Sequence, residues 1–346
     1  MTPLLALLGL CMHGEAIVFS SSLSSPQSHE QLPLCDVGYL SNTTEYGNGV
    51  WTHKGISGAE KSRVESAFRT SPNSGYNCGP HPRLLESMSW VWTPKTCRLH
   101  NFDSQHFNEL LGGRSLVFIG DSISMCMADS LRFLGVESKE TRFDLFAGFL
   151  DTQRDGSKLG PSDDDPRYVE KLSKLLRAPW LEMLERSGVK STDILVLNKG
   201  AHGGGESFAA YQALAHRVAK VHSGQVLWRT TIHGHKDCQN FNGPIQNLSD
   251  DELKEFASSY NWMTFKQRNS WAIKALHEEM DGRFGIVDTS MFENRPDGHI
   301  SQVFANDPAA TRYQKNDCLH YCTPGPIDTW NYLLYHVLVT ISSTER

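Results

Sequence analysis

Residues 115–124 read Ser115-Leu116-Val117-Phe118-Ile119-Gly120-Asp121-Ser122-Ile123-Ser124. Ser115 to Ile119 is a short run of mostly apolar residues, the length and texture of a strand buried on both faces. It breaks on Gly120-Asp121-Ser122. Beyond the break, apolar residues recur at Ile123, Met127, Leu131 and Leu134, the spacing of one helix face. The same alternation continues outward. Asp193 to Leu197, Gln225 to Thr230 and Phe284 to Val287 read as further strands. Helical patterns run through Val169 to Arg186 and through Phe208, Tyr211, Leu214, Ala215 and Val218. Ser249 is placed to cap a long helix with Asp250, Asp251 and Glu252 in its first turn, and a last helix runs from Asp328 to about Val339. Strands alternating with helices specify an α/β fold, a central parallel sheet flanked by helices in three layers. No internal repeat is present, and residues 151–167 read as a polar surface insertion.

In such sheets ligands gather at the carboxyl ends of strands, which is where Ser122 falls. A serine opening a helix has backbone N–H groups and the helix dipole beside it, suited to a developing oxyanion. The structural alternative for Asp121 or Ser122 is a helix cap. A serine nucleophile also needs a base, and the base an orienting carboxylate. Asp317-Cys318-Leu319-His320 supplies both three residues apart, so that Asp317 can hold the imidazole of His320 and leave its other nitrogen for Ser122. Gly120-Asp121-Ser122-Ile123-Ser124 lacks the second glycine of the Gly-x-Ser-x-Gly elbow. His202-Gly203-Gly204-Gly205 imitates a lipase oxyanion loop but follows the serine instead of preceding it.

The chain has 346 residues, 39% of them hydrophobic, enough for one large domain or two modest ones. Thirty-three basic residues against 39 acidic give a net charge of −6 with no clustered Lys and Arg, which excludes a nucleic-acid surface. Charged residues at 21% and aromatics at 10% exclude a mostly disordered chain. His233-Gly234-His235 has metal-ligand spacing, but Lys236 beside it repels a cation, and no Cys-x-x-Cys pair recurs with zinc-site spacing. No metal is expected.

Leu4 to Met12 is an apolar run of signal-peptide length, followed by small residues, although no Lys or Arg precedes it. The expected organisation is a signal peptide or signal anchor over 1–22, a Ser/Pro/Gln-rich linker over 23–34, a cysteine-rich lobe over 35–100 and a catalytic domain over 101–346. Of eight cysteines, Cys11 lies in the leader and Cys126 in the helix after the first strand, which leaves six, enough for three bridges. Asn42 and Asn247 open two glycosylation triplets. These features place the chain in the secretory pathway, in the Golgi lumen or outside the cell, with a membrane contact only if the N-terminus is kept as an anchor.

Gly120-Asp121-Ser122, together with Asp317-Cys318-Leu319-His320-Tyr321-Cys322-Thr323-Pro324-Gly325-Pro326-Ile327-Asp328-Thr329-Trp330-Asn331, resembles the PC-esterase branch of the GDSL/SGNH hydrolases. More narrowly, the chain resembles the trichome-birefringence-like polysaccharide O-acetyltransferases. Further blocks match in order: Cys35-Asp36, Trp90-Val91-Trp92-Thr93-Pro94, Cys97-Arg98-Leu99-His100-Asn101-Phe102-Asp103, Asn198-Lys199-Gly200-Ala201-His202 and Arg229-Thr230-Thr231-Ile232-His233-Gly234-His235. Ala201 is an extra residue relative to the family pattern, Gly203-Gly204 stand where it has tryptophans, and Cys126 stands where asparagine is frequent. These departures fall on the acceptor groove.

The resemblance implies an SGNH-like fold with a small disulfide-stapled N-terminal lobe, and the bridges Cys35–Cys97, Cys78–Cys322 and Cys238–Cys318. It implies Ser122 as nucleophile, His320 as base then acid, Asp317 as its orienter, and an oxyanion hole of the Ser122 N–H and the Asn198 side chain. Asp121, His202 and Arg229 would line the substrate groove. The implied reaction moves acetyl through an acetyl-serine to a polysaccharide hydroxyl, with acetyl-CoA or another acetylated donor as co-substrate and no bound cofactor. A carbohydrate acetyl esterase and a silent glycan-binding module are the alternatives on the same scaffold. Trp51, Trp90 and Trp92 are the aromatics available to stack on sugar, and core packing is the other fate open to them.

Overall fold

A computed structural model describes residues 32–40, 43–70, 76–142, 188–200, 207–246, 251, 254, 262–280, 282–301 and 317–344. The leader, most of the linker, the insertion at 151–167, the helix read at Val169 to Arg186, the Ser249 cap, Asn42, Asn247 and His202 lie outside them.

The N-terminal lobe opens with β1 (Tyr39–Leu40) and β2 (Thr43–Thr44), followed by β3 (Gly49–His53), α1 (Gly58–Thr70), α2 (Pro82–Ser87) and β4 (Trp90–Pro94). β3 and β4 pair antiparallel with Trp51 opposite Trp92. The indole of Trp51 meets Phe292 edge-on at 5.1 Å and carries the Arg295 guanidinium 4.3 Å from its centroid. Its N–H donates to the Met291 carbonyl, and that of Trp92 to the Tyr46 carbonyl. Trp51 therefore packs the lobe onto the rest of the molecule, and Trp92 ties β4 to Tyr46 within the lobe. Cys35, Tyr46, Trp92 and Cys97 share one apolar cluster with residues of the central sheet, so the lobe has no separate core at this contact.

After α3 (Ser104–Leu111) comes the central sheet. β5 (Leu116–Gly120), β6 (Lys139–Arg142), β7 (Ile194–Leu197), β8 (Val226–Arg229) and β9 (Phe284–Val287) lie in the order β6-β5-β7-β8-β9, every pair parallel. Successive side chains of a strand face opposite ways. Leu116, Phe118, Val196, Leu227 and Val287 join one cluster with α4 (Ser122–Phe133) and α7 (Asp328–Thr344). Val117, Ile119, Leu195, Leu197, Val226, Trp228 and Ile286 join the other with α5 (Phe208–Val221) and α6 (Phe265–Met280). Both faces are covered, which is why four of the five strands read as continuous apolar runs.

β6 was not expected. Lys139-Glu140-Thr141-Arg142 has no apolar run, and among the described strands it lies at the edge of the sheet. α7 runs past the expected Val339. Ile341 reaches β9 there, where a Cβ on Gly285 would come within 2.7 Å of both the Ile341 and Leu227 methyls. The glycine lets helix and strand approach closely.

The chain passes from β5 outward to β6 and returns on the other side to β7. The strand order therefore reverses between β5 and β7, a topological switch point. Their carboxyl ends carry Gly120-Asp121-Ser122 and Asn198-Lys199-Gly200. Among the described residues Cys35–Cys97 closes the lobe on itself, Cys78–Cys322 ties the lobe to the loop after His320, and Cys238–Cys318 ties the loop before it to the segment after β8. Cys126 is a buried thiol, which burial pushes well above its ordinary pKa.

Candidate active site

Ser122 is the first residue of α4. Asp121 precedes it in extended backbone and caps the helix, its Oδ1 accepting the Ile123 N–H at 3.0 Å. His320 is 198 positions away in sequence, yet its Nε2 lies 2.6 Å from Ser122 Oγ. Its Nδ1 lies 2.7 and 2.8 Å from the two Asp317 oxygens. An ionised carboxylate only accepts, so the Nδ1 carries the proton and Nε2 is left to accept from the serine hydroxyl. Burial works to raise the Asp317 pKa. The hydrogen bonds from the His320 ring and from the backbone N–H groups of His320 and Leu319 outweigh it and hold the carboxyl below its ordinary value. The His320 and Asp317 side chains remain 18% and 32% exposed, so the site opens to solvent.

The loop bearing His320 is held from behind. The His320 carbonyl accepts from Ile300 N–H at 2.8 Å, and Cys318, bridged to Cys238, has its carbonyl bound by His235 N–H at 2.9 Å. His235 and His233, which have the spacing of a metal pair, are instead buried imidazoles. His235 Nε2 is 2.8 Å from the Glu293 carbonyl and its Nδ1 is 2.7 Å from His299 Nε2. A carbonyl only accepts, so His235 is protonated on Nε2 and accepts on Nδ1 from His299. Burial pushes the His235 pKa down to about 3 and that of His299 well below its ordinary value. No group of three or more His, Cys, Asp or Glu among the described residues is placed to hold a metal ion. His299 carried no signal in the sequence, because a lone histidine in a turn-rich stretch belongs to no pattern.

Two of the expected site residues lie among buried hydrogen bonds. Asn198 was expected to aim its amide at the oxyanion. It is 1% exposed, and its Nδ2 donates to the Arg229 carbonyl at 2.9 Å and to Thr231 Oγ1 at 2.7 Å. Both N–H bonds are thus committed to bracing the ends of β7 and β8. Arg229 was expected in the groove. It too is 1% exposed, its Nη1 on the Thr230 carbonyl, its Nη2 on Ser124 Oγ at 3.1 Å, and its guanidinium 5.0 Å from the Trp330 ring centroid. It steadies the first turn of α4 from below. Burial brings its pKa down to about 10, against the pull of Asp121. Trp330 is fully buried between Phe292 and Tyr321.

Gly200 makes a further requirement visible. A Cβ there would lie 1.6 Å from Asp121 Oδ2. Gly200→Ala is therefore expected to push Asp121 off the Ile123 N–H. The lost cap costs about 1 kcal/mol, and displacement of Ser122 from His320 lowers turnover by roughly 100-fold. Thermal unfolding and initial rates measure the two effects, and wild-type rates would remove the Asp121 cap from the account of the site.

Residues 205–337 match the PC-Esterase family, described as a GDSL/SGNH-like acyl-esterase family found in Pmr5 and Cas1p. The match contains Asp317 and His320 and begins after Ser122. The chain is also similar to xyloglucan O-acetyltransferase 4 of Populus trichocarpa, 24% identical over 342 residues covering 80% of this chain and 77% of that protein. It is 22% identical to xyloglucan O-acetyltransferase 1 of Arabidopsis thaliana, covering 92% and 85%. To protein trichome birefringence-like 25 of Arabidopsis thaliana it is 26% identical, covering 75% and 69%.

Proposed function

We propose that this chain, which belongs to the PC-esterase family of GDSL/SGNH-like acyl-esterases, moves an acetyl group onto hydroxyls of a cell-wall or secreted polysaccharide through an acetyl-serine. The observation that carries this reading is the 2.6 Å contact between His320 Nε2 and Ser122 Oγ, with Asp317 on the far side of the same ring. A binding module has no use for a hydroxyl, an imidazole and a carboxylate in line, and the silent alternative has nothing in its favour.

Ser122 Oγ attacks the carbonyl carbon of the acetyl donor while its proton passes to His320 Nε2. The negative charge on the tetrahedral oxygen rests on the Ser122 backbone N–H at the positive end of α4. Asn198, with its amide on the Arg229 carbonyl and Thr231 Oγ1, braces the floor beneath. Collapse breaks the bond to the leaving group, which takes the proton from His320, and leaves acetyl-Ser122. The acceptor hydroxyl then gives its proton to His320 and attacks the ester. The second collapse returns that proton to Ser122 Oγ and releases the acetylated sugar. The donor is acetyl-CoA or another acetylated molecule, and no cofactor takes part.

Hydrolysis is the second reading, favoured by the exposure of His320 and Asp317, which lets water reach the acyl-enzyme. The experiment supplies an acetyl donor and a panel of oligosaccharides, including xyloglucan fragments because relatives carry that name. Mass spectrometry of the sugars and assay of free acetate then read the partition. We expect acetylated sugar to exceed free acetate at saturating acceptor, whereas predominance of acetate throughout the panel would make the chain an esterase.

The three bridges agree with an oxidising lumen, the Golgi or beyond. No helix among the described residues is long and apolar enough to cross a membrane. The division at residue 100 between lobe and catalytic domain, with a leader over 1–22, is part of the same proposal.

A further inference from the structure

In the plane of its ring, His320 is held at Nδ1 by Asp317 and at Nε2 by Ser122. One face of the ring is covered from the N-terminal lobe. The Tyr76 ring stacks on it with centroids 5.2 Å apart and planes 23° from parallel. Tyr76 is tied to the His320 loop twice: the Thr323 N–H donates to its carbonyl at 2.8 Å, and Cys78, two residues on, is bridged to Cys322. A covalent link and a backbone hydrogen bond to the His320 loop thus hold in place a ring that stacks on the imidazole.

Under the mechanism proposed above, that imidazole becomes a cation twice per turnover. The face of an aromatic ring carries negative charge and attracts cations, and the attraction strengthens where water is partly excluded. We propose that Tyr76 is a positioning residue of the active site, fixing the rotamer of His320 and stabilising its protonated form, so that the N-terminal lobe is a working wall of the catalytic centre. The inference rests on the acyl-transfer reading. Among the described residues, the other groups facing His320 are Asp317 and Ser122 in its plane and His299 behind its carbonyl, with neutral His235 beyond; Asp121 and Arg229 lie past the serine. Among them Tyr76 is the one whose ring stacks on the imidazole.

The test uses an alkyl fluorophosphonate, which labels an activated serine and needs no sugar acceptor. The labelling rate of Ser122 is measured against pH in wild type, Tyr76→Leu, Tyr76→Phe and the pentafluorophenylalanine substitution at 76. The last keeps the ring's shape and reverses its charge distribution. Tyr76→Leu and the pentafluoro variant are expected to label about fivefold more slowly at the plateau, with the acid limb lowered by about 0.5–1 pH unit, because the protonated ring has lost its partner. Tyr76→Phe is expected to stay within about twofold of wild type.

A Leu variant that is slower with an unmoved limb, beside a wild-type-like pentafluoro variant, would reduce Tyr76 to packing and overturn the proposal. So would wild-type behaviour of both. The pentafluoro variant decides alone if Tyr76→Leu fails to fold. Absence of Ser122 labelling in the wild type would instead bring down the acyl-transfer reading and this proposal with it, a result distinct from either.

Discussion

Ser122→Ala is expected to lower acetyl transfer by roughly 10⁴-fold or more, with little change in stability. The variant keeps the helix start, the Asp121 cap and the His320–Asp317 pair. It loses the one atom that can carry the acyl group. What remains is binding and the field at the start of α4, which leaves a small residual rate over water. His320→Ala is expected to cost about as much, and the double variant no more than either single one, because the two groups serve a single step. Asp317→Asn should lose roughly 10³–10⁴-fold by another route. The amide N–H pushes the proton to Nε2, so the ring meets the serine hydroxyl as a donor. Turnover with an acetyl donor, alongside thermal unfolding of each variant, checks the set. A folded Ser122→Ala protein within tenfold of wild-type rate would place the chemistry elsewhere.

How far such a site can be read from a sequence depends on which residues leave a local trace. β5, β7, β8 and β9 did, because a strand covered on both faces must be apolar throughout, and turns bound each run. β6 left none, having no apolar run. Ser122 stands out by its place at the end of a strand, and Asp317 and His320 by their spacing on one turn. The distance of 198 positions between serine and histidine is closed by packing alone, and family resemblance brought the two together before coordinates did. The bridges were legible in the same way, since six cysteines allow fifteen pairings. Asn198 shows a different limit. Its place after β7 marks it as facing the switch point, but the direction of its amide depends on Thr231 and the Arg229 carbonyl, contributed by the next strand. Tyr76 and Arg229 act through neighbours remote in sequence, and no periodicity marks such a role.

Acid is expected to weaken the fold well before carboxylates titrate. His235 and His336 are buried as neutral rings. His336 Nδ1 accepts the His100 N–H at 3.2 Å, and its Nε2 is 3.1 Å from the Cys35 carbonyl. Burial lowers His235 to about 3 and His336 to about 4. In the unfolded chain each titrates near 6.5. The folded value lies below the unfolded one, so as pH falls through about 6.5 the unfolded state takes up protons that the folded state refuses, and stability falls with it. Their contribution is complete above about 6.5 and is lost progressively toward 3–4. At pH 5 each ring costs about 2 kcal/mol and the pair about 4, a large part of the ~5–15 kcal/mol that holds an ordinary domain together. His299 and His233, lowered in the same direction by burial, add to the loss. Asp317 enters later. Its carboxyl is held below 3.8, so its contribution is present above that value and fades only as pH falls further. Denaturant unfolding at pH 7.5 and 5.0 should show the difference, and His336→Asn, which keeps a donor and an acceptor without a titrating ring, should remove about half of the two-ring loss. A free energy of unfolding unchanged within 1 kcal/mol between the two pH values would mean that these imidazoles take up protons without leaving their partners. Because His235 binds the Cys318 carbonyl through its own N–H, the earliest acid opening near it is also an opening of the loop that carries the base.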